Sequence, residues 1–387
     1  MRLNRPYESA FSKEAKKLVD SGASIISLGL GEPNFQTPKI IQEMTIKAME
    51  EGYTRYCDPM GLKELRELIA SKLKTENQLN ISYNNILITT GAKQAFLLAL
   101  QSLLKPGDEV INFSPSFLSF IPAIEIVEST TLIHEIDLTR KNFRINWEEV
   151  RSVVSQKTKL IILNSPHNPT GMVLNKFDIE QIKALYQEFP NLHILSDEVY
   201  EYFVFDGHVQ HSIASSLPDT DRLFIINSFS KSFAMTGWRL GYIVVPEGYR
   251  NTCGEILKHS NMNVTTFIQK GACAAFLEGR SCSYISDFHS DLQTNADLAS
   301  SHFSDNRISF TKPQGGFFGF LDISESGLTS DDYAVKLLKA KHVAVNPGFQ
   351  MGRNWDDYIR ISFSGSPESI HLGINKLVEF HLEVCDA

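Results

Sequence analysis

Short, nearly unbroken apolar runs recur through the middle of the chain, at residues 86–88, 109–113, 131–136, 159–163, 193–195, 223–227 and 240–245. They lack the every-second-residue alternation of a strand with one wet face. Stretches with helical spacing separate most of them, for example 92–104, 147–155 and 176–187. Continuous apolar strands divided by helices predict a mostly parallel sheet buried on both faces. The flanks read differently. Helical spacing is expected at 13–20, 39–51 and 61–74, with an extended piece at 25–28 that runs into the turn-rich segment 29–33. After a polar-faced helix at 285–303, strands are expected near 307–310, 317–322, 343–345 and 358–363, and helices near 331–340 and 367–380. The pattern is that of an α/β protein: a large domain over 46–284 with helices on both faces of its sheet, and a smaller α+β domain formed by 1–45 and 285–387.

Composition narrows the function classes. The 387 residues are 42% hydrophobic and 21% charged, with a net charge of −8. No basic cluster suits a phosphate backbone, so nucleic acid is not an expected partner. Cys57, Cys253, Cys273, Cys282 and Cys385 are scattered and odd in number, which suits reduced thiols rather than a disulfide framework or a zinc site. The basic start, Met1 to Pro6, is not followed by an apolar run, and no window reaches membrane-spanning length. A cytoplasmic protein without membrane attachment is the expectation.

The chemistry gathers where strands end, which is where open α/β sheets bind ligands. The 223–227 run leads into Ser228-Phe229-Ser230-Lys231, with Arg239 eight positions on. A lysine held at a strand end beside anion-binding groups suits Schiff-base chemistry, which needs a neutral amine within reach of a carbonyl carbon. The 159–163 run ends in Asn164-Ser165-Pro166-His167-Asn168-Pro169-Thr170-Gly171, a constrained turn that presents the Asn168 amide. The 193–195 run ends in Ser196-Asp197-Glu198-Val199-Tyr200. An acid at a buried strand end needs a partner. A protonated pyridine nitrogen is one, and helix capping is the plainer alternative. Gly91-Ala92-Lys93 opens a helix straight after a strand and offers free backbone amides to a phosphate, with the Ser228 and Ser230 hydroxyls and Arg239 as further contributors. Arg360 stands alone in the apolar run Tyr358-Ile359-Arg360-Ile361 and calls for an anionic partner, either a substrate carboxylate or a structural carboxylate.

Two other patterns lead nowhere. Gly29-Leu30-Gly31 lacks the third glycine of a dinucleotide fingerprint, and His208 with His211 lacks a third metal ligand.

Taken in order, from Leu28-Gly29-Leu30-Gly31-Glu32-Pro33 through Arg55-Tyr56-Cys57-Asp58-Pro59-Met60-Gly61 to Tyr358-Ile359-Arg360, the motifs resemble the class I/II pyridoxal-phosphate-dependent aminotransferases of fold type I, in particular the bacterial aspartate-aminotransferase-like subgroup. The resemblance runs nearly end to end. It implies pyridoxal 5'-phosphate linked to Lys231, which also shuttles the substrate proton. It implies Asp197 on the pyridine nitrogen, and Tyr200 and Asn168 on the phenolic oxygen. Ala92, Lys93, Ser228, Ser230 and Arg239 would surround the phosphate, and Phe117 would stack on the ring. Gly31, Asn168 and Arg360 would face the substrate, with Arg360 on its α-carboxylate. Tyr56 would reach the phosphate of a neighbouring subunit, which makes the chain a homodimer with shared active sites.

Phe117 replaces the more usual Tyr or Trp, and the uncharged stretch 261–266 supplies no second cation for a distal carboxylate. The expected substrates are therefore an L-amino acid with a neutral or aromatic side chain and a 2-oxo acid, with Phe11, Phe35, Phe117 and Phe120 as pocket candidates. A lyase, a cyclase or another specialised amino-acid enzyme using the same cofactor is the alternative. A non-catalytic amino-acid sensor is disfavoured, because no helix-turn-helix precedes residue 25 and the whole catalytic set is present.

Overall fold

The structure, a computed structural model, describes residues 10–20, 22–277 and 284–386. Helix α1 (Ala10–Asp20), strand β1 (Ile26–Ser27) and helices α2 (Lys39–Glu50) and α3 (Lys63–Glu76) precede the large sheet. Its strands are β2 (Ile86–Thr89), β3 (Glu109–Ser114), β4 (Leu132–Asp137), β5 (Thr158–Asn164), β6 (His193–Asp197), β7 (Leu223–Ser228) and β8 (Gly241–Val244), in spatial order β2-β8-β7-β6-β5-β3-β4. Strand β8 runs antiparallel to both neighbours, and every other pairing in the sheet is parallel. The mostly parallel sheet expected from the apolar runs is present.

Its unbroken apolar strands have a simple cause. Leu87, Val110, Leu160, Leu195, Phe224 and Ile243 point into one core, while Ile88, Ile111, Ile161, Ile194, Ile225 and Val244 point into another on the opposite face. Both faces are dry, so neither set of alternate positions is polar. Helices α4 (Gly91–Leu103), α5 (Phe120–Val127), α6 (Trp147–Val153), α7 (Lys176–Glu188), α8 (Phe229–Ser232), α9 (Arg250–Ser260), α10 (Thr266–Ala272) and α11 (Ala274–Leu277) connect and cover these strands. Helix α7 starts at a capping box, in which Asn175 and Asp178 each bond the other's backbone N–H at 2.9 Å.

The rest comprises α12 (Tyr284–Asp305), β9 (Phe318–Asp322), α13 (Ser330–Lys341), β10 (Val343–Ala344), β11 (Asn346–Pro347), β12 (Tyr358–Ser362) and α14 (Pro367–Cys385). Strands β11, β12 and β9 form an antiparallel sheet over a third core, and β10 pairs in parallel with β1. The strand expected at 307–310 does not form. Arg307 takes φ +60, which breaks an extended run, and Phe310 makes only a single bridge to Leu321. Helices α5, α9, α10 and α11 were not anticipated. In α5 the sequence Phe120-Ile121-Pro122-Ala123-Ile124 is apolar all round, and Pro122 falls in the first turn, where a missing N–H costs nothing.

The pairing of β1 with β10 positions the segment that follows β1. Ser362 N donates to Leu28 O at 2.7 Å, and Ser364 Oγ donates to Leu30 O at 3.1 Å. Further on, Thr37 Oγ1 donates to Ala234 O at 2.7 Å, so this segment is tied to the loop after Lys231.

Candidate active site

The carboxyl ends of β5, β6 and β7, the start of α4 and the middle of β12 converge on a cavity of about 330 Å3. Gly31, Ala92, Lys93, Phe117, Asn168 and Asp197 line it, as do Tyr200, Ser228, Ser230, Lys231, Arg239 and Arg360. Of the cofactor- and substrate-binding candidates that the resemblance implies, all are there except Tyr56, which is 84% exposed on this chain and lies outside the cavity. Of the proposed pocket phenylalanines, Phe117 lines it. Phe11 and Phe35 instead pack against the core of the smaller sheet, and Phe120 stacks on Phe96.

Lys231 lies in the single turn α8, whose N-cap is Ser228: the Ser228 Oγ accepts from Ser230 N at 3.1 Å. The same hydroxyl donates to Ser230 Oγ at 2.9 Å, so the two serines are locked side by side. Lys231 Nζ donates to Gly31 O at 2.5 Å. Burial pushes its amine down to about 8; the charges of Arg360 and Arg239 add to this, while Glu32 and Asp197 oppose it.

Asp197 ends β6 and is 8% exposed. One carboxylate oxygen accepts from Val199 N at 3.3 Å. Burial pushes the carboxyl up to about 7, against that hydrogen bond and the charge of Lys231. This is an acid without an adequate partner among the described residues.

Asn168 is the hub of a hydrogen-bond network that reaches Asp197, Tyr200 and Arg360. Its backbone N donates to Asn164 Oδ1 at 2.8 Å, and Asn164 Nδ2 donates to Asp197 O at 3.0 Å. Asn168 Oδ1 accepts from Arg360 Nη1 at 3.1 Å, and the Asn168 side chain also bonds the Tyr200 hydroxyl. Burial pushes the Tyr200 hydroxyl well above the usual phenol range.

Arg360 is 6% exposed, and Phe318 covers its guanidinium face with 4.0 Å between the central carbon and the ring centroid. Its Nη2 donates to Gly29 O and Asn346 Oδ1, both at 2.9 Å, while Nε is buried without a partner. All its acceptors are neutral, so burial pushes the group down to about 10. A buried guanidinium with no carboxylate is built to receive an anion.

At the opposite end, α4 begins without a side-chain cap, and first-turn amides have no partner inside a helix. Arg239 is held beside that turn, with Nη1 donating to Thr236 O at 2.8 Å and the backbone at φ +56. Gly91 is required there: it takes φ +75, and a Cβ would lie 2.6 Å from Arg239 Nη2. Lys93 extends its amine over the Phe117 ring, 5.5 Å from the centroid, and forms no ion pair among the described residues.

Sequence reasoning missed Asn164, Glu32 and Phe318, which also line the cavity. Asn164 was legible, since it heads the same eight-residue string as Asn168. Phe318 arrives from the smaller sheet, and no local pattern announces it.

Residues 23–377 match the family described as aminotransferase class I and II. The chain is 37% identical over 369 residues to an aspartate aminotransferase of Pyrococcus abyssi, covering 94% of both chains. It is 35% identical over 382 residues to aromatic-amino-acid aminotransferase 2 of Thermococcus litoralis, covering 97% of both. Among solved structures, an aromatic aminotransferase from Pyrococcus horikoshii OT3 superposes with a TM-score of 0.89 at 35% identity, covering 97% of this chain and 99% of that one. An aspartate aminotransferase from Thermotoga maritima gives 0.88 at 32%, with 95% of each covered. With a match of this extent and the strand-end residues gathered on one cavity, the chain belongs to the class I and II aminotransferases.

Proposed function

We propose that the protein is a pyridoxal-5'-phosphate-dependent aminotransferase that moves the α-amino group of an L-amino acid to a 2-oxo acid by a ping-pong mechanism. The observation that carries this reading is one cavity holding a buried acid short of a partner, a lysine pushed toward neutrality and a buried arginine without an anion. The residues fit the cofactor. Asp197, which lacks a cation, would be the partner of a protonated pyridine nitrogen. The α4 amides at Ala92 and Lys93, the Ser228 and Ser230 hydroxyls and Arg239 suit a phosphate. Tyr200 and Asn168 suit a phenolic oxygen, and Phe117 offers a ring face. Bound there, the cofactor supplies the electron sink that lets the Cα–H bond of an amino acid break, and it stores the amino group between half-reactions.

The protein's own groups do the rest. Lys231 Nζ, whose amine burial pushes toward neutrality, is the base that takes the proton from substrate Cα. Arg360 and Asn168 hold the α-carboxylate and orient that proton toward Lys231. Gly31 lets the Phe318 ring close against this wall of the cavity, since a Cβ there would lie 2.3 Å from it. The exposed ring of Tyr56 is read as reaching the phosphate in a second copy of the chain, which makes the working unit a homodimer. The division into a cofactor-binding unit, 46–284, and a smaller unit, 1–45 with 285–387, belongs to the same reading. A core drawn mainly from 285–387 supports it, with Val199, Tyr200, Phe203 and Phe205 of the larger unit packing into that core.

On the substrate side, Phe117 and Phe318 favour aromatic or neutral donors. The free amine of Lys93 supports a second reading, in which it meets the distal carboxylate of an acidic donor while its backbone amide serves the phosphate. Single-turnover spectra with phenylalanine, tyrosine, aspartate and glutamate test both. Lys93→Met is expected to raise KM for the dicarboxylic donors about tenfold or more, the size of a lost charged hydrogen bond, and to leave aromatic donors little changed. Equal effects on both classes would remove the second reading. Ammonia release with no amino group left on the cofactor for an added 2-oxo acid to take up would replace the aminotransferase reading with the lyase alternative.

Gly91→Ala is expected to weaken cofactor capture about tenfold or more, because a displaced Arg239 forfeits a charge-assisted bond. Titrating cofactor-free protein with pyridoxal phosphate measures this, and unchanged affinity would clear Arg239 of the phosphate role.

A further inference from the structure

Behind the two turns that carry Asp197–Tyr200 and Ser228–Lys231 lies a knot of charged and amide side chains that the chemistry above leaves unused. Lys72, on α3, is 2% exposed. Its Nζ donates to both carboxylate oxygens of Glu201 at 2.5 Å and to Asn77 Oδ1 at 2.7 Å. Glu201 Oε2 also accepts from Asn77 Nδ2 at 3.0 Å, and Oε1 accepts from Asn227 Nδ2 at 2.6 Å. Asn227 Oδ1 accepts the backbone N–H of Ser228 at 2.7 Å. The gap among Lys72, Glu201, Asn227 and Phe229 is about 10 Å3, room for about one water.

A buried ion pair is a poor source of stability, because desolvating two charges costs about as much as their attraction returns. What this pair does gain is a fixed relation between two chain segments. Glu201 directly follows Tyr200, and Asn227 directly precedes Ser228. One carboxylate therefore joins the turn after β6 to the end of β7. Glu201 N donates to Glu198 O at 3.0 Å, which stiffens the turn, and Glu198 N donates to Ile226 O of β7 at 3.0 Å, so the Glu201–Asn227 bond is a side-chain tie beyond the last backbone bond between the two segments. Glu201 does not line the cavity, so it acts through its neighbours.

We propose that Glu201, fixed by Lys72, is a positioning residue whose bond to Asn227 sets the spacing between the Asp197–Tyr200 turn and the Ser228–Lys231 turn. It thereby fixes where Lys231 Nζ stands relative to the groups that hold the cofactor ring. The inference rests on the reading above that these two turns grip one cofactor between them.

The test compares two double variants of the full-length, cofactor-loaded protein. Lys72→Met with Glu201→Gln removes both charges but keeps an acceptor for Asn227. Lys72→Met with Glu201→Leu removes both charges and the acceptor. Each is measured for Tm, for kcat, and for the pH midpoint of the absorbance of the lysine-linked cofactor. The Gln double is expected to keep the parent's midpoint and most of its kcat. The Leu double is expected to show a displaced midpoint and a kcat lower by about 10²-fold, the cost of an ångström-scale misplacement. Asn227→Ala cuts the same tie from the other side with the Lys72–Glu201 pair intact, and it should reproduce the displaced midpoint even if the Leu double does not fold. Doubles that agree in midpoint and kcat whatever their Tm, or an Asn227→Ala protein with the parent's midpoint, overturn the proposal. A parent protein with no cofactor absorbance overturns the functional reading itself, a different and separable result.

Discussion

Lys231→Ala is expected to lower kcat by at least about 10⁴-fold, the upper range for losing a positioned proton-transfer group, and to abolish the absorbance of the lysine-linked cofactor. The cavity holds a second amine, Lys93, but it stands over Phe117 on the α4 side, whereas Lys231 Nζ reaches Gly31 on the substrate side. Substitution by arginine should fail equally, because a guanidinium cannot shed its proton at working pH. Cofactor itself should still bind, since Arg239 and the other residues proposed to hold its phosphate are untouched. Single-turnover kinetics and the absorbance spectrum check both halves. A kcat within tenfold of the parent would remove Lys231 from its role.

The second large effect has two signs. Asp197→Asn is expected to lower kcat by about 10²–10³-fold, as loss of a preorganised electrostatic partner does, and yet to stabilise the cofactor-free protein near neutral pH. Burial pushes the Asp197 carboxyl up to about 7 and the Lys231 amine down to about 8. An acid with a raised native pKa contributes stability while protonated and loses it as pH rises through about 7. An amine with a depressed native pKa contributes stability while neutral and loses it as pH falls through about 8. Between those values both groups are charged, so the cofactor-free protein is least favoured there. Removing the carboxylate should raise its Tm at that pH and flatten the fall in Tm from acid toward neutral pH. Thermal melts of cofactor-free parent and variant across pH 4 to 9 decide the point, and an unchanged or lower Tm for the variant at neutral pH would contradict it.

The large sheet was legible because both of its faces are dry, which writes each strand as an apolar run. The candidate site was legible because Asn168, Asp197 and Lys231 each stand at or just beyond the end of such a run. What escaped depends on residues far apart in the chain. Helix α5 is apolar at nearly every position, so it carries no 3.6-residue period, and its packing on α4, where Phe120 stacks on Phe96, is a contact between segments that no local pattern announces. Strand β11 is two residues long, too brief for any periodicity to register. The bond between Glu201 and Asn227 joins two ordinary-looking polar residues that follow and precede site motifs, and nothing in either stretch marks the other as its partner. Phe318 and Asn346 meet Arg360 only after β9, β11 and β12 have paired.

Strand β1 has a consequence for how the polypeptide is made. Its residues leave the ribosome early, but their hydrogen-bond partner is β10, with Ile26 paired to Val343 and Ser27 to Ala344. Arg360, which donates to Gly29 O, is 331 positions away from it. During synthesis the large sheet can assemble from β2 to β8 while the early segment waits with an unpaired edge. The substrate side of the cavity is thus the last part to close. On the proposed assignment, a nascent chain stalled before β10 would own most of the groups proposed to hold the phosphate but not Arg360, so catalysis would wait for chains translated almost to the end.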